Sequence, residues 1–204
     1  MIKQIFTLLL TSFIANVSFA QTGSANQKPV QKFYVTVNGR QYSTYEGDTL
    51  KAEGREIIIR AANYLTFDYG ALHFDYPGYF VYNFEEEEGY KNWTLSGNDF
   101  VIMYFELEAE VELSAFVKEL VNKFGKKNCT LSKIKIKLGT LELEGTRIDV
   151  VLIETRLTQD VYSIKANDGK THLMLFQDTK GDDGSGSPDS VIAMEIINET
   201  FILK

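Results

Sequence analysis

Asp68 and His73 flank the dipeptide Gly70-Ala71, and a two-residue turn there sets them directly opposite each other on a hairpin. An aspartate beside a histidine can orient a general base or a metal ligand. No serine or cysteine nucleophile lies near the pair in sequence, and cross-strand Asp–His pairs also serve simply to stabilise sheets. The other histidine, His172, is expected opposite Lys165 if Asp168-Gly169 forms a second two-residue turn. A cationic neighbour would disfavour its protonation without implying chemistry. Two histidines, with no His-Glu-x-x-His and no cysteine pair, leave little material for zinc.

Carboxylates are more plentiful. Glu85 to Glu88 form one acidic run, and Asp178, Asp182 and Asp183, with Asp189 further on, form another group. Either could present hard oxygen ligands to Ca²⁺. The second group departs from EF-hand spacing, with Lys180 where a ligand is wanted and Asp183 where that loop needs glycine. A solvated acidic loop is therefore expected, with no cofactor, and Asp178, Asp182 and Asp183 stand as the metal candidates.

The aromatic residues Tyr76, Tyr79, Tyr82, Tyr90 and Trp93 crowd a short stretch around Pro77-Gly78. Amphipathic rings give binding area at low entropic cost, although strand-rich cores use the same residues. Tyr76, Tyr79, Tyr82 and Trp93 are the candidate ligand-binding residues. No Gly-Lys-Ser/Thr loop, Gly-x-Gly-x-x-Gly or Gly-x-Ser-x-Gly occurs, so no catalytic residue is assigned and a non-enzymatic protein is expected. Cys129, the single cysteine, has Lys126 and Lys127 nearby but no histidine, and reads as a partly buried, inert thiol. Asn-x-Ser/Thr triplets begin at Asn92, Asn128 and Asn198 and matter only where the host glycosylates exported proteins.

These residues must be positioned by a sheet. Phe33 to Val37 and Arg40 to Tyr45 alternate around Asn38-Gly39, a strong hairpin signal. Ile57 to Ile59 reads as strand. Leu65, Phe67 and Tyr69 pair with Leu72, Phe74 and Tyr76 across Gly70-Ala71, where Gly-X suits a type II′ turn. Phe100 to Phe105 is continuously apolar, the pattern of a central strand covered on both faces, and Val150 to Ile153 reads the same way. Leu113, Phe116, Val117, Leu120, Val121 and Phe124 make one helical stripe, stopped by Gly125. Ile134, Ile136 and Leu138 alternate with Lys133, Lys135 and Lys137. Ser187-Pro188 looks like an N-cap and first helical residue, ahead of a stripe of Ile192, Ala193, Ile196, Ile197 and Phe201. The fold expected is α+β: an antiparallel β-sheet with two packed helices, at about 110–125 and 188–201, sandwich-like, in one domain.

The N-terminus reads as an export signal. Lys3 precedes the apolar Ile5 to Leu10, and Ser18-Phe19-Ala20 supplies the small-x-small pattern of a cleavage site. The layout is then signal peptide 1–20, polar leader 21–32 and a single domain over 33–204. No anchor is expected after cleavage, and the location is periplasmic or secreted. Loss of twenty residues leaves 184 of the 204, enough for one core. Removing Lys3, the signal peptide's only charge, takes the net charge from −7 to −8. An acidic surface repels phosphate backbones, so nucleic acid is not an expected partner.

From Leu72 to Lys204 the layout resembles a known group. A strand ending in Tyr76-Pro77, the strand Trp93-Thr94-Leu95 and a hydrophobic strand are followed by a helix carrying Phe116-Val117 and Leu120. Antiparallel strands come next, then a last helix ending in Glu199-Thr200-Phe201. This order is similar to that of the PsbP-like α/β/α sandwich over about two thirds of the chain. The resemblance implies a binding or assembly role without catalysis and carries over no functional residue. Residues Phe33 to Tyr45 lie outside it. The expectation is thus an exported domain binding a protein partner or small ligand, or assisting assembly. The alternatives are an exported hydrolase using carboxylates or the Asp–His pair, and Ca²⁺-dependent adhesion through the acidic loops.

Overall fold

A computed structural model describes residues 32–204, apart from 46, 61, 154 and 182. The export signal and the leader up to residue 31 lie outside the described residues, and Lys32 already begins a strand. The chain divides into two compact units, meeting in sequence between Asn63 and Tyr64.

The smaller unit consists of two hairpins. Strands β1 (Lys32–Val37) and β2 (Arg40–Tyr45) pair around Asn38-Gly39, whose φ values of 48° and 80° are those of the turn expected there. Strands β3 (Thr49–Ala52) and β4 (Arg55–Ile58) pair around Glu53-Gly54, which repeats that geometry with φ of 52° and 76°. Ile57 and Ile58 are strand residues as expected, whereas β3 carries too little apolar alternation to stand out in sequence.

The larger unit is built on a seven-stranded antiparallel sheet in the order β10-β11-β12-β13-β9-β8-β7. The strands are β7 (Val81–Glu87), β8 (Tyr90–Ser96), β9 (Phe100–Leu107), β10 (Cys129–Leu138), β11 (Leu141–Val151), β12 (Arg156–Ile164) and β13 (Thr171–Thr179). Strand β9 is central and covered on both sides, as its unbroken apolar run predicts. Phe100, Ile102 and Tyr104 enter one core, while Met103, Phe105 and Leu107 enter the other. Helix α1 (Leu113–Phe124) closes the second core with Phe116, Val117, Leu120 and Val121, and stops at Gly125, φ 84°.

The first core is closed by a second sheet and a second helix. Strands β5 (Tyr64–Tyr69) and β6 (Leu72–Pro77) form the Gly70-Ala71 hairpin in the expected register, and β14 (Ile202–Leu203) adds to β6. Helix α2 (Pro188–Thr200) starts as expected: the Ser187 side chain accepts from the Ser190 N–H, with proline at the first turn. Its buried residues are Asp189, Ser190, Ala193 and Ile197, so the inward face is rotated from the apolar stripe; Ile192 is exposed. The fold is α+β and strand-dominated, with the two helices near the expected positions.

Three local expectations are corrected. The run Val150 to Ile153 is not a doubly covered strand, because β11 ends at Val151 and Ile153 stands fully in solvent. Glu85 to Glu87 are strand rather than loop, and alternation sends Glu86 to the opposite face from Glu85 and Glu87. The connection after β12 is longer than two residues: His172 pairs with Ile164, not Lys165. The extra residue shifts the register by one position, the change that exchanges the faces of a strand's side chains.

Candidate functional site

A concavity lined by polar and apolar side chains lies on the first-core face of β10–β13, beside the N-terminal half of α2. Its rows follow from sheet register. Ile134, Gly145 and Tyr162 stand opposite one another on β10, β11 and β12, and Arg147, Asp160 and Phe176 do so on β11, β12 and β13. Alternation along β12 brings Thr158, Asp160 and Tyr162 to one face. Gly145 has no side chain, and the Tyr162 ring lies across the gap; a Cβ there would sit 2.6 Å from the ring and 2.5 Å from the Val161 carbonyl. The groove, of about 480 Å³, is completed by Phe100, Ile136, Asp178, Lys180, Ser190 and Met194.

Two ion pairs within the lining, with lining residue Lys135 paired outward to Glu144 at 2.6 Å, set its electrostatics. Arg147 grips Asp160 through Nε and Nη2, both at 2.7 Å, which holds the guanidinium charged. Lys180 donates to Asp178 at 2.7 Å, and the other Asp178 oxygen accepts from the Ser187 N–H. The hydroxyls of Thr158 and Tyr162 are different. Both residues are at least 95% buried and line the groove, yet their hydroxyl oxygens stay open to solvent and bond to no described residue. Burial, with Asp160 beside it, pushes the Tyr162 phenol well above its ordinary range, so it stays protonated and able to donate.

The aromatic candidates do not form one surface. Tyr76 and Trp93 are core residues, 4% and 5% exposed. Tyr79 and Tyr82 are exposed but separate: Tyr79 donates to Asp189 at 2.8 Å, while Tyr82 contacts Tyr69 with ring centroids 5.8 Å apart. Tyr69 and Phe84 in turn contact Trp93. A ledge of Tyr69, Tyr82 and Phe84 thus stands over Trp93 at the β7 edge; Tyr69 and Phe84 escaped notice because strand pairing, not sequence proximity, assembles it.

Tyr79 yields a pH prediction. Burial and the Asp189 carboxylate push its phenol up to about 12, above the ordinary value near 10. The folded state therefore prefers the neutral phenol, and its contribution is complete below pH ~10 and lost as pH rises toward ~12. Alkaline denaturation followed by circular dichroism should begin in that window. Tyr79→Phe should remove part of the pH dependence between 10 and 12; an unchanged profile would show that Tyr79 carries none of it.

Asp68 and His73 do pair as expected, with 3.3 Å between Oδ1 and Nδ1, and Lys204 joins the same oxygen at 3.0 Å. Hydrogen bonds from Lys204 and from His73 hold the Asp68 carboxyl below its usual value. The side chains are substantially exposed, and neither Asp68 nor His73 hydrogen-bonds a serine or cysteine among the described residues. The acidic-loop candidates do not converge. Asp178 is committed to Lys180 and Ser187, Asp183 accepts from the Ser185 N–H, and Asp189 accepts from Tyr79 and the backbone of Asn98 and Asp99. Asp182 lies outside the described residues. Burial pushes the Cys129 thiol up, in keeping with an inert group. Of the three glycosylation triplets, the asparagine at 92 is buried and the one at 198 exposed.

A polar chain that the sequence did not disclose runs through the first core. The Ala71 N–H donates to the Tyr104 hydroxyl at 3.1 Å, Tyr104 lies 2.7 Å from His172 Nδ1, and His172 Nε2 lies 2.9 Å from both Asp168 oxygens. With Ala71 donating to it, Tyr104 is placed to donate to Nδ1, which leaves Nε2–H for Asp168. Glu106 comes close to the same carboxylate–imidazole pair and is engaged by Lys170. Each histidine nitrogen is thereby satisfied from within the chain, as a buried structural network requires.

Comparison with models of known protein families, and with curated proteins, finds no match to this chain.

Proposed function

We propose that this is an exported, non-enzymatic domain that binds a small ligand in the groove between β10–β13 and α2. The observation that carries this reading is the pair of hydroxyls, on Thr158 and Tyr162, that open into the groove from otherwise buried residues without a partner among the described residues. A ligand entering there displaces water from both, and one that supplies the hydrogen bonds itself gains affinity and orientation together. The volume of about 480 Å³ falls within the few hundred to a thousand Å³ common for such sites. Export rests on Lys3, the apolar run after it and Ser18-Phe19-Ala20. The PsbP-like layout supports a binding role over a catalytic one.

Methyl-labelled protein titrated with mixtures of small metabolites provides the test. At least one mixture should shift the methyl signals of Ile134, Ile136 and Met194 saturably, and Met194→Trp, which fills the groove, should abolish the shift. Absence of any such shift, or its persistence in Met194→Trp, would remove the groove as the site.

The ledge of Tyr69, Tyr82 and Phe84 supports a second reading, a protein partner docking at the β7 edge. These rings are 46%, 41% and 39% exposed although they sit directly above core Trp93. Retention of a partner by Tyr82→Ala plus Phe84→Ala would dispose of it.

A further inference from the structure

We infer that the groove selects a neutral, polyhydroxylated molecule, a free saccharide of one or two rings. This rests on the groove being the binding site and adds the chemistry of what enters it.

The charges facing the groove are already paired. Arg147 is held by Asp160 in a two-pronged pair and Lys180 by Asp178, while Lys135, largely exposed at the groove's side, is taken by Glu144 at 2.6 Å. A carboxylate or phosphate entering here must compete with Asp160 or Asp178 for its cation, and an ammonium must compete with Arg147 or Lys180. A zwitterion must do both. Each exchange strands a partly buried charge, so ionic ligands gain little.

What stays unspent is a mixture of donors and acceptors. Arg147 uses two of its five N–H groups on Asp160, and Lys180 uses one of its three on Asp178. Both carboxylates keep lone pairs, and the Thr158 and Tyr162 hydroxyls can each donate and accept. Thr158, Asp160 and Tyr162 alternate along a single strand, so acceptor and donor positions recur at the two-residue repeat, about 7 Å. A ligand group matched to such a row is itself both donor and acceptor, which describes a hydroxyl. The remaining walls, Phe100, Phe176, Ile134, Ile136 and Met194, are apolar and suit the C–H faces of a sugar ring. A fatty acid would cover those walls but leave the Thr158 and Tyr162 hydroxyls stranded.

The experiment uses the full chain and saturation-transfer NMR with glucose, galactose, N-acetylglucosamine, maltose and cellobiose. Parallel panels contain free amino acids and short fatty acids. At least one saccharide should bind saturably. Thr158→Val and Tyr162→Phe should each weaken it roughly three- to tenfold, the size of one neutral hydrogen bond. Both variants conserve shape, and their circular dichroism should match the parent. The inference is overturned if no saccharide binds, or if binding is the same in both variants. Amino acids or fatty acids shifting the Ile134, Ile136 and Met194 methyls while sugars do not would overturn it and leave the groove standing. Silence from every panel at those methyls would remove both.

Discussion

Gly70→Ala should destabilise the protein by roughly 2–4 kcal/mol, a loss far beyond what an exposed hairpin turn ordinarily costs. The added Cβ would lie 2.6 Å from the Tyr104 hydroxyl, 2.8 Å from its ring and 3.1 Å from Glu106 Oε2. Real Cβ atoms do not approach that closely, and the obstructing ring cannot swing away. Tyr104 is 1% exposed and packed against Trp93, Phe67 and His172. The glycine also adopts φ of +55°, which alanine reaches at a cost of about 1–2 kcal/mol. Relief must come from lifting the β5–β6 hairpin, which breaks the Ala71 N–H to Tyr104 bond. Urea denaturation would measure the loss, and Gly169→Ala is the control. Gly169 also has positive φ, 76°, but open space around it, so it should lose only the conformational share. Equal losses at the two positions would refute the close-packing argument.

The same hairpin shows what the sequence makes legible. Its Gly-X turn, the alternation on both sides and the Asp68–His73 register follow from local rules, and the structure reproduces them. Phe100 to Phe105 and the Phe116–Val121 face were equally readable, because periodicity alone decides which sides are covered. At Asp168-Gly169 the same rule failed. The turn takes in an extra residue, which sets His172 against Ile164 and brings it beside Glu106 on β9. One residue of register separates the expected cation-flanked histidine from the buried, doubly bonded one.

The groove was illegible for a different reason. Its polar row, Thr158, Asp160 and Tyr162, is only an ordinary alternation on β12 until three other strands and α2 enclose it. The neighbours Arg147 and Ile134 come from β11 and β10, which are set by pairing register rather than spacing. Gly145 could have drawn attention, since glycine inside a strand marks a close approach; here the approaching group is the Tyr162 ring. Aromatic crowding in sequence pointed instead to Tyr76 and Trp93, where burial consumes the rings that a partner would need.

Tyr104→Phe should cost about 2–3 kcal/mol, although it removes one oxygen and leaves packing intact. The hydroxyl satisfies two buried groups at once, the Ala71 N–H and His172 Nδ1. A phenylalanine strands both, and each unsatisfied buried group carries a penalty of about 1–3 kcal/mol. Ala71 keeps 8% of its surface exposed and His172 none, so the Ala71 N–H carries the smaller penalty, which places the sum at the lower end. His172 is fully buried, with its other nitrogen already given to Asp168. A double-mutant cycle separates the two costs. With His172→Leu as background, Tyr104→Phe strands only the Ala71 N–H, so its cost should fall by at least ~1 kcal/mol. If instead the two losses add, the Tyr104–His172 bond contributes nothing measurable, and the cost of Tyr104→Phe belongs to the Ala71 N–H.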